Sequence, residues 1–227
     1  MQKVDQLIHY NKKGAEMLKH AFTGAVLGAV ILSSSVVMAE GKQAMIAPGL
    51  VSFVVDHEGD AVEVMRNQNP ENTISELYST TFRGMPQAMN PFAPHEVETL
   101  GEREFTAYMM EAEKDESIMI VDTRTEGWHY RLTIPGSQNY PFTLMDAEET
   151  MEDALDDFGV DVDGEAYNFD NAKTLVMFCN GYWCGQTPTM GRALLKAGYP
   201  EDKMKYYRGG MQAWTSLGLT VVGEAAE

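Results

Sequence analysis

Thr174-Leu-Val-Met-Phe178-Cys179-Asn-Gly-Tyr-Trp-Cys184-Gly-Gln186 is the stretch that decides the fold. An apolar run ends in a thiol, a glycine-containing segment follows, and helical spacing resumes at about Thr187. That order puts Cys179 on the turn between a buried strand and a helix. Such a turn aims successive backbone N–H groups, and the positive end of the helix, at its centre. These dipoles favour an anion and depress a thiol pKa from its free value of about 8.5, so the sequence predicts a thiolate at Cys179 within reach of solvent-borne donors. Cys184 is the only other cysteine among 227 residues, so this loop holds every sulfur nucleophile of the chain.

Working outward, strand-like and helix-like segments alternate from Glu96 onward, the pattern of a largely parallel sheet with helices on its faces. The pattern predicts a strand at 97–100 and a helix at about 102–113 carrying Phe105, Tyr108, Met109 and Ala112 on one side. The buried strand Ser117-Ile-Met-Ile-Val-Asp122 follows, then an Ile134-Pro-Gly136 turn feeding 138–140. An acidic amphipathic helix is predicted at about 145–158, with Leu144, Met151, Ala154, Leu155 and Phe158 facing inward. After the cysteine loop come a helix at 187–197, a strand at 204–207, and a short helix opened by Gly209-Gly210 that places Trp214 in the core.

Before Glu96 the reading changes. Lys12, Lys13 and Lys19 precede an almost uncharged stretch from Ala21 to Val37, and Val37-Met38-Ala39 supplies the small residues a signal peptidase needs. Residues 1–39 are therefore expected to be a signal peptide cleaved after Ala39. The alternative is an uncleaved membrane anchor, for which the apolar run falls just short of the ~20 residues usual for a span. Residues 40–95 form an extension: two β-branched runs at 51–55 and 61–65 flank a turn, predicting a β-hairpin. Ile74, Leu77, Tyr78 and Phe82 then recur at helical spacing behind an Asn72 or Thr73 cap, and a stretch with three prolines, 83–94, reads as a linker draped on the next domain.

The motifs of residues 96–223 together resemble a rhodanese domain. They are the strand-terminal Val-Asp122-Thr-Arg124, the Ile-Pro-Gly136 turn, the cysteine loop opening a helix that ends Lys-Ala-Gly198-Tyr, and Tyr-Arg208-Gly-Gly210-Met-Gln-Ala-Trp214. The extension is similar to that of exported single-domain members. The resemblance implies an α/β, three-layer fold with a mostly parallel central sheet flanked by helices, plus the N-terminal hairpin. It also implies a thiosulfate or persulfide sulfurtransferase, in which Cys179 becomes a persulfide and passes its outer sulfur to a thiophilic acceptor. The backbone of Asn180, Gly181, Tyr182, Trp183, Cys184, Gly185 and Gln186 would stabilise that persulfide anion. Asp122 and Arg124 match the family's structural pair, the carboxylate tying down neighbouring backbone.

The loop departs from the family pattern. Cys184 stands where a basic residue is usual, and Gly185 and Gln186 occupy the place of the phosphate-clamping arginine of phosphatases sharing this fold. Without that guanidinium, bidentate recognition of a tetrahedral dianion is lost. Arg192 and Arg208 read as packing or surface residues. Cys184 admits three readings: a resolving thiol that attacks a Cys179 persulfide or sulfenate, a partner in a regulatory disulfide, or a filler of the loop. A disulfide between cysteines this close closes too small a ring to be an effective structural staple. Two further functions stand beside sulfur transfer: a non-catalytic sulfur-carrier or binding module, and a dithiol redox protein using Cys179 and Cys184.

No cofactor is expected, and no metal, because the histidines at 57, 95 and 129 show no ligand spacing with the cysteines. His57 is expected to be solvated in the hairpin turn. A formal charge of −17 makes nucleic acid an improbable partner. Ten acids and no lysine or arginine fall between Asp146 and Glu165, a solvated acidic face rather than a calcium loop. The expected partners are small-molecule or protein sulfur donors and acceptors, in the periplasm or outside the cell, with no stable membrane association after signal cleavage.

Overall fold

Side chains alternate across a strand, so a strand with apolar residues at every position must be covered on both faces. The computed structural model, which describes residues 43–163 and 166–226, has such a sheet. Its five strands are β3 (Glu98–Leu100), β4 (Ile118–Asp122), β5 (Gln138–Asn139), β8 (Thr174–Phe178) and β9 (Met204–Tyr207). They run parallel in the order β3-β9-β8-β4-β5. Ile120, Val176, Phe178 and Tyr207 enter one hydrophobic cluster with α2 (Glu102–Ala112) and α6 (Gly210–Ser216). Met119, Val121, Leu175, Met177, Met204 and Tyr206 enter a second with α4 (Glu148–Asp157) and α5 (Gln186–Ala197). Three layers result, as expected.

Phe105 organises the first cluster. Its ring stacks on Tyr207 at 4.2 Å and meets Phe178 and Trp214 edge-on at 5.9 and 5.8 Å. Trp214 is wholly buried, as its helical spacing from Met211 predicts. The hairpin of β1 (Ser52–His57) and β2 (Asp60–Met65) contributes Phe53, Val55 and Val64 to this same cluster. It is also fastened to the C-terminal segment: Asn67 N–H donates to Gly218 O at 2.6 Å, and Thr220 N–H to Met65 O at 3.0 Å.

Several local expectations are corrected. The helix expected from Ile74 to Phe82 is one turn, α1 (Glu76–Ser79), behind Ser75, and Phe82 is 93% exposed. A turn this short gains little from propagation; its apolar spacing buries Tyr78 and sets Ile74 and Leu77 against the first cluster. The acidic helix starts at Glu148, because Phe142–Asp146 winds as a 3-10 turn after Pro141. Elements not foreseen include α3 (Glu126–Arg131), and a small antiparallel hairpin of β6 (Asp161–Asp163) and β7 (Ala166–Asn168) at the end of the acidic stretch. His57 is half-buried at the end of β1, where its Nδ1 accepts the Gly136 N–H at 3.3 Å. Burial pulls its pKa below the usual imidazole value.

No helix among the described residues is long and apolar enough to cross a membrane. The predicted signal peptide, residues 1–39, lies outside the described residues.

Candidate functional site

The cysteine loop leaves the carboxyl end of β8, beside the ends of β4 and β9, where open parallel sheets form their binding crevices. Cys179 is anchored by its backbone: the Met211 N–H donates to Cys179 O at 3.0 Å and the Gln212 N–H to Asn180 O at 2.9 Å. This approach needs Gly210, whose φ is +53° and whose place a Cβ would contest with the Cys179 carbonyl. The Cys184 N–H then closes a turn on Gly181 O at 2.8 Å. Among the described residues, the N–H groups of Tyr182, Trp183, Gly185, Gln186 and Thr187 have no backbone acceptor. The last two lie in the first turn of α5, whose N-terminus carries a partial positive charge.

The two sulfurs are joined: Cys179 and Cys184 form a disulfide across Cα atoms 6.2 Å apart. The side-chain oxygen of Gln186 lies 3.3 Å from Cys179 Sγ and 3.6 Å from Cys184 Sγ. Cys179 is only 2% exposed and Cys184 6%. The expectation of a solvent-reachable thiolate at Cys179 is therefore corrected for this state. The bond consumes both thiols, and the sulfur turns inward to Cys184 instead of outward.

Behind the loop stands a fully buried ion pair. Arg124 Nε and Nη2 meet the two carboxylate oxygens of Asp122 at 2.8 and 2.6 Å, and the Arg124 backbone N–H donates to Asp122 Oδ1 at 3.0 Å. Thr133 and His129 add 2.9 and 3.0 Å contacts to Asp122 Oδ2. Burial by itself would raise the Asp122 pKa, but the hydrogen bonds from Arg124 and His129 outweigh it and hold the carboxyl below the usual range. From Arg124 the network reaches the loop. Arg124 Nη1 donates to Tyr78 OH at 3.1 Å and to Asn180 Oδ1 at 3.3 Å, while Tyr78 OH donates to the same Asn180 oxygen at 2.8 Å. Desolvation pushes Tyr78 up to about 12, which keeps it a neutral donor at physiological pH. Thr123 and Thr187, 2.7 Å apart, pin the start of α5 to the end of β4.

The proline-rich segment 83–94 is a strap across this loop. Gln87 N–H donates to Tyr182 O at 2.8 Å, and the Arg83 guanidinium sits 4.8 Å above the Trp183 ring. Arg208 holds the strap by donating to Gln87 O at 2.8 Å, and Arg192 by donating to Pro91 O at 3.3 Å. Phe92 anchors it in the second cluster. Trp183 is half-buried and donates to Gln212 Oε1, whereas Tyr182 is 41% exposed. Among the described residues, no group of three or more His, Cys, Asp or Glu side chains is arranged to hold a metal ion.

Residues 106–217 match the model of the rhodanese-like domain family. The chain carries a rhodanese-like domain. Its five-stranded parallel sheet, flanking helices and N-terminal hairpin are the expected architecture. The solved structures it resembles include the BH2092 protein of Bacillus halodurans, with 16% identity, 56% of this chain and 78% of that one covered, and a TM-score of 0.42. The rhodanese-like domain of the Alr3790 protein of Anabaena sp. shares 17% identity over 57% of this chain and 82% of that one, with a TM-score of 0.39. RPA3614 of Rhodopseudomonas palustris, described as a protein of unknown function and possible tyrosine phosphatase, shares 20% over 58% and 94%, with a TM-score of 0.37. No curated protein matches the chain.

Rhodanese-like domains belong to a sulfurtransferase superfamily that includes catalytic and non-catalytic members. Of the loop residues named from the sequence, Cys184 is bonded to Cys179, Gln186 lies against both sulfurs, and Asn180 is tied to the Asp122–Arg124 pair through Arg124. Sequence reasoning missed Tyr78, His129, Gln87 and Arg83. Only the helical spacing of Tyr78 with Ile74 and Leu77 offered a signal. Nothing in the spacing of the extension points to a partner a hundred residues away.

Proposed function

We propose that the reduced protein is a sulfurtransferase with Cys179 as nucleophile. The observation that carries this reading is Cys179's position at the strand-to-helix turn, with loop and first-turn N–H groups unclaimed by backbone acceptors. A thiolate there attacks the sulfane sulfur of thiosulfate or a related persulfide donor. The S–S bond of the donor breaks, sulfite or a thiolate departs with the electron pair, and the persulfide anion takes the place of the thiolate among the same N–H dipoles. A thiophile then removes the outer sulfur and restores Cys179. Phosphatase chemistry is disfavoured: Gly185 and Gln186 supply no guanidinium in the loop, and the guanidinium groups of Arg83 and Arg208 lie over the rings of Trp183 and Tyr182, with Arg208 also donating to Gln87 O.

The disulfide is the resting form in this proposal, so activity requires a thiol reductant first. The same reading takes the protein to be exported, cleaved after Ala39 and working in the periplasm or outside the cell with small-molecule or protein donors and acceptors. Its support there is the sequence of residues 1–39. A second reading, a dithiol redox protein, is favoured by the Cys179–Cys184 bond itself.

Thiocyanate production from thiosulfate and cyanide separates the two. Full chain reduced by a dithiol and desalted is expected to turn over, and the oxidised chain to be inactive until reduced. No thiocyanate from the reduced chain, together with reversible gain and loss of two hydrogens in a redox buffer, would establish the dithiol reading instead. A chain that neither turns over nor cycles would be a binding module.

A further inference from the structure

Resting on the sulfur-transfer reading, we propose that Cys184 is a second catalytic thiol, which attacks the inner sulfur of the Cys179 persulfide, closes the disulfide and expels the outer sulfur as sulfide. The two Cα atoms stand 6.2 Å apart, inside the range of about 4.4–6.8 Å that a disulfide spans without backbone movement. The turn that presents Cys184 is held firmly. The Cys184 N–H closes the turn on Gly181 O at 2.8 Å, and Trp183 Nε1 within it donates to Gln212 Oε1, tying the turn to α6. The bond in the structure joins Sγ to Sγ, which makes the inner sulfur, not the outer one, the atom that Cys184 reaches.

Access favours the same partner. In the oxidised state Cys184 is already bonded to that sulfur, whereas an external thiol must diffuse to it. Holding the attacking atom in place removes the entropy cost of a bimolecular encounter. Gln186 Oε1, within 3.3 and 3.6 Å of the two sulfurs, serves as a common acceptor for whichever cysteine carries a proton in the reduced loop.

The chemistry balances in three steps. The Cys179 thiolate attacks the sulfane sulfur of thiosulfate, its S–S bond breaks, and sulfite leaves with the pair. The Cys184 thiol passes its proton to the outer sulfur of the persulfide anion and its sulfur attacks Cys179 Sγ; the bond between inner and outer sulfur breaks, and the outer sulfur leaves as hydrosulfide. A dithiol reductant finally reduces the protein disulfide and is itself oxidised to a disulfide, with its two protons passing to the released thiolates or to solvent. The net reaction takes thiosulfate and a dithiol to sulfite, sulfide and an oxidised dithiol.

The test follows a single turnover by intact mass and by sulfide release. Full chain is reduced, desalted, and mixed with inorganic thiosulfate without cyanide or added thiol. Wild type is expected to gain one sulfur atom, then to convert to a species two hydrogens lighter than the reduced chain, with equimolar sulfide. Cys184→Ala is expected to retain the added sulfur and release no sulfide, and Cys184→Ser, which fills the site more conservatively, to do the same. If wild type holds its added sulfur as long as the variants, or the variants release sulfide at the wild-type rate, the role of Cys184 is overturned while sulfur transfer by Cys179 survives. If none of the three proteins gains sulfur, both readings fall together.

Discussion

Cys179→Ser is expected to lower thiocyanate formation by the reduced protein by about a thousandfold or more, and to leave no sulfur-loaded species in the mass spectrum. A serine hydroxyl is close in size to the thiol it replaces, so the anchoring bonds from Met211 and Gln212 to the loop carbonyls remain available. What it loses is the nucleophile. No dipole arrangement in a loop of this kind brings an aliphatic hydroxyl near ionisation at neutral pH, whereas a thiol starts only about 1.5 units away. Loss of the disulfide is a minor structural matter, because so short a ring restricts the unfolded chain little. Unaltered far-ultraviolet circular dichroism would accompany the loss of turnover. Thiocyanate formation near the wild-type rate would show that the sulfur chemistry resides elsewhere.

Arg124→Met is expected to produce the largest loss of stability among single substitutions at the site. Methionine fills much of the volume but leaves the wholly buried Asp122 carboxylate without its guanidinium, a change that costs about 3–5 kcal/mol. For a chain of this size that corresponds to a fall in Tm of about 10 °C. It also removes a donor to Tyr78 and to Asn180, so the loop and the extension loosen together. The pH dependence has a definite sign. The Asp122 pKa is lower in the folded state than in the unfolded chain, so the contribution of the pair is complete above the ordinary carboxylate range. It is lost progressively as pH falls from there toward the folded-state value. Thermal melts between neutral and acid pH should therefore show the gap between wild type and Arg124→Met narrowing on acidification. A gap that stays constant or widens would mean that the pair does not act as described.

The layering of this fold is legible because two periodicities do most of the work. Strands such as Ile118–Asp122 and Thr174–Phe178 are apolar on both faces, and helices such as Gln186–Ala197 are apolar on one, so the sequence implies a covered parallel sheet. Cys179 and its loop are equally readable, since a strand, a turn and a helix follow one another within a few residues. Reading fails where a residue's role is set by something distant in the chain. Tyr78 looks like one member of a helical stripe, yet its hydroxyl bonds Asn180, 102 positions later. Arg208 looks like a packing residue and instead carries the carbonyl of Gln87. The strap itself has no periodicity to read: its three prolines announce a break, and only the tertiary structure says that the break lies over Trp183 and Tyr182. The sequence leaves three readings of Cys184 open, the oxidised pair among them, and spacing alone does not choose among them.

The account depends on main-chain dipoles lowering the Cys179 pKa, and this is measured most directly on the Cys184→Ser chain, where Cys179 is the sole thiol. Its ionisation can be followed by thiolate absorbance and by the pH dependence of alkylation. The account predicts a midpoint clearly below the free value of about 8.5, with the midpoint returning toward that value on unfolding. A midpoint at or above it in the folded protein would contradict the claim that the loop is built to hold a sulfur anion.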